Sequence, residues 1–370
     1  MLASLLEWFQ ANWSFIVETF IKASIIGGVI QGAVAYIVYA ERRTASFIQE
    51  RIGPNRCGPL GLLQPIADGV KLMFKEDILP NHVNKVFFIL APVLALMPAL
   101  ATMAVIPFGG DVVLEGGRVI QLQAADVNVG ALYVFALASL GVYGLALGGW
   151  ASNSKYSLLG GIRSSAQMIS YELPLTLCFL TAIIATGTLD LNEIVMQQGP
   201  WPWQWHLFGF GTGTARLISI VPLFLATIIF VISIFAETNR LPFDMPEAES
   251  ELVSGYHTEF SSMKFGLFFL AEYANMLTGC AMTASLFFGG WLFPGWGHPF
   301  FESHPILFGL CGLASFVLKV GFFMFIMMWV RWTLPRFRYD QLMALGWKRL
   351  LPLSLACVIG AACAGVFVAN

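Results

Sequence analysis

Residues 237–259 read Glu237-Thr-Asn-Arg240-Leu-Pro-Phe-Asp244-Met-Pro-Glu247-Ala-Glu249-Ser-Glu251-Leu-Val-Ser-Gly-Tyr-His-Thr-Glu259 and lie between two long apolar runs, 217–236 and 265–288. Each run is long enough to cross about 30 Å of hydrocarbon as a helix. The segment between them must then lie at a membrane surface, where a polytopic chain ordinarily carries a basic anchor. Here it carries Glu237, Asp244, Glu247, Glu249, Glu251 and Glu259, six of the 22 acids in the chain. Carboxylates this dense cannot all ionise at ordinary pKa values. They titrate as a coupled set, which suits them to holding and passing protons.

Working outward, the same test finds eight apolar stretches: 16–39, 86–107, 129–150, 170–187, 217–236, 265–288, 306–330 and 350–369. The 370 residues are 57% hydrophobic and 11% charged, with a mean hydropathy of +0.74. Such a composition excludes a soluble globular domain. Lipid offers the backbone no hydrogen-bond partner, so every span is expected to be a helix. The expectation is an all-α, polytopic membrane protein, a single integral domain over 1–370, with eight transmembrane helices.

Alternate loops hold nearly all the basic residues, among them Arg42, Arg43, Arg51 and Arg56 in the first and Arg331, Arg336 and Arg338 in the seventh. The opposite face has Arg118 and Arg216. The positive-inside rule therefore puts both termini on the outer side. The first fifteen residues have no basic residue and no small-residue cleavage site, so a removed signal peptide is not expected.

The loops on the basic side are patterned. Leu62, Leu63, Ile66, Val70, Met73 and Phe74 recur at helical spacing, with Asp68, Lys71 and Lys75 mostly around the other side. This predicts an amphipathic helix on the inner surface, either resting on lipid or walling a cavity. On the other side, the Gly- and Val-rich stretch 109–126 suits a hairpin, and Trp201, Trp203 and Trp205 suit the headgroup level. No inverted repeat of the transporter kind is visible.

Ionisable groups within spans carry the chemistry, because a mid-helix charge costs about 2.5–3.5 kcal/mol even on the lenient insertion scale. Glu272 lies roughly 10 Å into its span, and Lys319 sits near the centre of the seventh. Glu172 is near the start of the fourth span, and Glu41 and Glu237 close the inner ends of the first and fifth. Lys22, near an outer end, can snorkel. Arg240 is expected to neutralise Glu237 as an i,i+3 pair. Asp244 followed by Pro246 and Glu247 reads as a capped helix start, which leaves Glu251 and Glu259 unexplained.

The six cysteines contain no CxxC pair, and the five histidines fall in predicted loops. No cluster, haem or metal ligation is suggested. Any redox groups belong to a partner or to a diffusible substrate. The net charge of −2 gives no reason to invoke nucleic acid.

Several long motifs carry a resemblance. Glu41-Arg-Arg43, Arg51-Ile-Gly-Pro-Asn-Arg56, Gly61-Leu-Leu-Gln-Pro-Ile-Ala-Asp68-Gly-Val-Lys71, Trp150-Ala-Ser-Asn-Ser-Lys-Tyr156, Ser170-Tyr-Glu172, Ala236-Glu-Thr-Asn-Arg-Leu-Pro-Phe-Asp244 and Ala271-Glu-Tyr-Ala-Asn275 resemble, in order, the membrane subunit called NuoH in bacteria and subunit 1 in mitochondria, part of respiratory complex I. The resemblance implies an eight-helix subunit at the junction with the peripheral arm, forming the mouth and wall of the ubiquinone chamber. It implies a proton relay of Glu172, Glu237 and Glu272 with Asp244, Glu247, Glu249, Glu251 and Glu259. Lys319 is added to that relay from its mid-span position.

Arg42, Arg51, Arg163 and Arg240 match basic positions by the chamber, with Glu41 and Asp68 in the same inner-loop motifs. NADH, flavin (FMN) and iron-sulfur centres would belong to partner subunits, alongside small membrane and antiporter-like subunits and membrane lipid. The wording at Tyr256-His-Thr-Glu259 and the long outer loops look more bacterial than mitochondrial, which favours a bacterial inner membrane over the mitochondrial alternative. Competing readings are a related membrane-bound hydrogenase subunit, which needs no quinone, and a free-standing ion-coupled transporter.

Overall fold

The computed structural model describes residues 2–110, 112–113, 119–245, 252–298 and 304–369. The helices are α1 (Leu2–Ile48), α2 (Gln64–Phe74), α3 (Lys85–Thr102), α4 (Gly130–Ala151), α5 (Lys155–Thr186), α6 (Leu191–Met196), α7 (Gly213–Glu237), α8 (Ser262–Phe287), α9 (Pro305–Thr333), α10 (Tyr339–Leu345) and α11 (Leu351–Ala369). Among the described residues, eight helical segments are long and apolar enough to cross a membrane, and they follow the eight expected stretches. Short α2 and α6 lie in connections. A π-helical turn over Gly346–Leu350 joins α10 to α11 in one span.

Boundaries shift most at the basic ends. The first span runs Thr19–Ile48, not 16–39, so Glu41, Arg42 and Arg43 are helical rather than in a loop. Hydropathy reports only where lipid ends, and the helix runs on to Ile48, just before Glu50 takes a left-handed φ of 51°. α5 likewise starts at Lys155, some fifteen residues before its apolar run, and carries Arg163 out of the membrane as helix. The expected hairpin forms as an antiparallel pair of Val112–Val113 with Val119–Ile120.

Small residues let the helices close up. A Cβ on Gly144 of α4 would lie 2.6 Å from the Ala95 backbone nitrogen of α3, and one on Gly149 would lie 2.6 Å from the Ser157 oxygen of α5. Close backbone approach is how membrane helices gain packing without a hydrophobic drive. α5 and α7 pack on each other and on α11, while α8 is inserted among α1, α3, α7 and α9. The last eight residues of α8, Cys280 to Phe287, are all buried. The membrane span of α1, Thr19–Ile48, is the least buried of the eight.

α2 walls a cavity with Gln64, Asp68 and Leu72, while its Ile66, Val70, Met73 and Phe74 are exposed. Its end is fastened to α8 by Ser262 Oγ, which donates to the carbonyls of Leu72 and Lys75 at 3.0 and 2.9 Å.

Candidate functional site

A cavity of about 510 Å³ opens on the basic face between α1, α2, α8 and the end of α9. Its outer wall is apolar, with Val34, Val38 and Phe269. Its floor is charged, with Glu41, Arg42, Arg51, Asp68 and Arg331. Arg42 reaches Asp68 at 2.6 Å, tying α1 to α2 across the cavity. Arg51 donates from Nε to Gln49 at 2.7 Å at its rim.

The deepest floor residue is Glu41, only 5% exposed. Its carboxylate accepts from Tyr273 Oη at 2.5 Å, from Arg331 through a very short contact, and from Arg240 Nη1 at 3.5 Å. Burying a carboxylate demands such partners. Arg240, itself 4% exposed, turns its Nε to Glu272 Oε1 at 2.5 Å and stacks 4.1 Å above the Tyr273 ring. Burial alone would discourage the charged guanidinium, but Glu272, Tyr273 and Glu41 more than offset it and hold its pKa above the ordinary arginine value.

Backbone geometry aims Arg240. After α7 ends at Glu237, Asn239 takes a left-handed φ of 52° and the Arg240 amide returns to Phe235 O at 3.1 Å. Gln167 of α5 fixes this turn, donating to Ala236 O and Phe243 O, both at 2.7 Å. The expected Arg240–Glu237 pair is therefore wrong. The chain leaves the helix before Arg240, so helical i,i+3 spacing no longer applies, and the guanidinium meets Glu272 and Glu41 instead.

From Glu272 the carboxylates continue into the bundle. Glu272 and Glu237 share a space of about 20 Å³ with Asn275 and Tyr256, close to what a single water occupies. On its other side Glu237 lines a space of about 30 Å³ with Thr278 and Asn275. Glu172 lies on α5, which packs against α7. Glu41, Arg240, Glu272 and Glu237 thus form one series from the cavity floor inward.

Other expected site residues lie elsewhere. Asp244 pairs with Arg336 at 3.2 Å, beside the Arg240 turn. Glu259 stands 4.0 Å from His82, between the loop before α8 and the one before α3. Arg163 lies 5.8 Å from the Tyr339 ring, off the cavity wall. Lys319 points to the opposite face, where Nζ donates to Gly290 O and Leu292 O at 2.8 Å each and lies 5.0 Å from the Trp205 ring. Glu247, Glu249, Glu251 and the expected helix start after Asp244 fall outside the described residues.

Two buried histidines flank this frame. His257, enclosed by Tyr256, Phe265, Phe268 and Phe269, is pushed by burial to about 3. His206, against Leu286 O on the opposite face, is lowered to about 4 by burial, partly opposed by that hydrogen bond. Both are neutral near pH 7. The sequence reading missed Arg331, Tyr273 and Gln167.

The sequence matches known proteins over nearly its whole length. The NADH dehydrogenase family matches residues 21–362. The H subunit of NADH-quinone oxidoreductase from Leptospira biflexa is 48% identical over 356 residues, covering 94% of this chain and 95% of the relative. The chain belongs to this H-subunit family. Another member of the H-subunit family, the one numbered 2 in Koribacter versatilis, is 48% identical over 93% of this chain and 96% of its own length. The H subunit of Rickettsia prowazekii is 52% identical over 88% and 87%. The match to the H-subunit family takes in the cavity and the carboxylate series alike, and the protein is a multi-pass membrane subunit of the NADH-quinone oxidoreductase type.

Proposed function

We propose that this chain walls the quinone chamber of a proton-pumping NADH:quinone oxidoreductase and starts the relay that couples quinone reduction to proton translocation. The observation that carries this reading is Arg240, which binds Glu41 on the cavity floor and Glu272 at the head of the buried series. A quinone becomes a quinol by taking two electrons and two protons. The electrons come from partner subunits that carry FMN and iron-sulfur clusters and oxidise NADH, so this chain is not catalytic alone.

Its own groups supply walls, charge and protons. The apolar side of the cavity suits an isoprenoid tail, and the charged floor suits a headgroup that gains negative charge. Charge arriving there would compete with Glu41 for Arg240 and Arg331. A weaker Arg240–Glu272 bond favours protonation of Glu272, and the change passes to Glu237 and Glu172 by Coulomb repulsion across water-sized spaces. Partner antiporter-like subunits would then move protons across a bacterial inner membrane. Both chain termini would lie on the periplasmic side, in keeping with the basic loops on the other.

The test is gentle extraction of the tagged chain from native membranes. Co-migration with flavin and iron-sulfur subunits, together with inhibitor-sensitive NADH:quinone reduction, is expected. Activity indifferent to quinone-site inhibitors would favour the hydrogenase-type reading, and a lone band that transports a solute would replace both.

A further inference from the structure

The face of α8 that carries Glu272 continues to a polar residue that the carboxylate series leaves out. Glu272, Asn275 and Thr278 follow one another at steps of three, so their side chains share one face of α8. Glu272 lines the space of about 20 Å³, Thr278 lines the one of about 30 Å³, and Asn275 lines both. Among the described residues, only Glu237, Thr238 and Asn275 belong to both walls.

These three groups differ in what they can do. Thr238 Oγ1 donates back to Ile234 O at 2.8 Å, so its proton stays on its own helix end. Glu237, when ionised, only accepts. Asn275 is half-buried and brings an N–H donor and a carbonyl acceptor on one planar carboxamide, without adding charge beside the two acids.

A water in the first space meets mostly acceptors. Glu237 and Glu272 are two of them, and Asn239, whose Oδ1 is buried with no hydrogen-bond partner among the described residues, stands on the same wall. Asn239 Nδ2 is directed at Met168 Sδ, 3.6 Å away. The water's two protons satisfy two acceptors, and its oxygen then needs donors to fix which way it turns. A protonated Glu272 supplies one, and Asn275 N–H supplies the other.

The second space offers a water less. Thr278 Oγ1 donates to Ala274 O at 3.0 Å and lies 3.3 Å from Thr102 Oγ1, while Phe135, Leu175, Phe230 and Met282 make much of the wall. Polar contact therefore runs out just beyond Asn275.

We propose that Asn275 is a positioning residue for proton transfer between Glu272 and Glu237, donating to a single water that bridges them. That water takes the proton of Glu272 and gives one of its own to ionised Glu237, so it ends neutral. The inference rests on the relay proposed above and adds to it a group that never changes charge.

Asn275→Leu keeps the branched shape and removes both polar atoms. Asn275→Ser keeps a donor and an acceptor and leaves room for a second water. In the purified complex in proteoliposomes, Asn275→Leu is expected to lower coupled NADH:quinone turnover about tenfold, as befits loss of one hydrogen bond in a charge-carrying site. The solvent deuterium isotope effect on that rate should grow. Asn275→Ser should recover most of the turnover and the wild-type isotope effect. Neither should change the affinity for quinone-site inhibitors, because Asn275 does not line the charged cavity.

A high-resolution map of the wild-type complex, which needs no variant to assemble, should show a water within hydrogen-bond reach of Asn275, Glu237 and Glu272. A map without that water would overturn the proposal. So would wild-type turnover in Asn275→Leu, or equal losses in both variants with an unaltered isotope effect. If Glu237→Gln complex turns over and pumps as wild type does, the relay itself fails and this proposal goes with it. Impaired Glu237→Gln beside wild-type Asn275→Leu would sink the Asn275 assignment alone.

Discussion

Arg240 Nε lies 2.5 Å from Glu272 Oε1 while Nη1 of the same side chain reaches Glu41 at 3.5 Å, so one buried cation joins a cavity-floor carboxylate to a mid-helix one. The pairing offsets desolvation that neither acid could sustain by itself. It also makes the two acids answer to one another, since whatever draws Arg240 toward one weakens its hold on the other.

Arg240→Gln should leave Glu41 and Glu272 short of charge in a dry site. The expected cost is about 3–5 kcal/mol, seen as a lower unfolding temperature of the purified complex, with quinone reduction lost. Arg240→Lys keeps the charge but not the planar fork, and should recover part of the stability with little of the activity. Activity equal to wild type in both variants would remove Arg240 from the junction.

Gln167→Leu tests the turn that aims Arg240. It deletes two hydrogen bonds to Ala236 O and Phe243 O and leaves those carbonyls buried. About 1–3 kcal/mol of stability should be lost, together with a raised KM for quinone. An unchanged KM would show that the turn holds without Gln167.

His257 gives a pH dependence of definite sign. Its folded pKa of about 3 lies below the unfolded value of about 6.5. Between these values the unfolded chain binds the extra proton, so stability is full above about pH 6.5 and falls as pH drops toward 3. His257→Phe should flatten melting temperature against pH over that window. A slope identical to wild type would mean that other groups set it.

Lys319 is expected to act as a brace on the face away from the carboxylate series. Lys319→Met removes two bonds to the loop after α8 and should lower thermal stability. Protons pumped per NADH should not change. A reduced ratio in stable complex would return Lys319 to the relay.

The spans were legible because hydropathy responds to the lipid that each stretch must face. Their basic ends were not, since Glu41 to Ile48 is polar enough to leave the membrane yet has nothing to stop a helix. Glu41, Glu237 and Glu272 could be singled out because a carboxylate in or beside a span needs a reason. Arg331 was hidden because a basic residue at the end of a span already has one, as an anchor, and Tyr273 because a tyrosine there reads as apolar. Pairing could not be read at all. Arg240 and Glu41 are separated by 199 residues, and only the turn at Asn239 decides which way the guanidinium points.

The link from cavity to series is tested most directly by measuring quinone reduction and acidification together in proteoliposomes containing Glu237→Gln complex. Glu237 lies beyond the cavity and shares its small space with Glu272. The expected result is assembled complex that still binds quinone-site inhibitors, with both coupled turnover and proton uptake markedly reduced. Wild-type turnover and pumping in that variant would contradict a relay through Glu237.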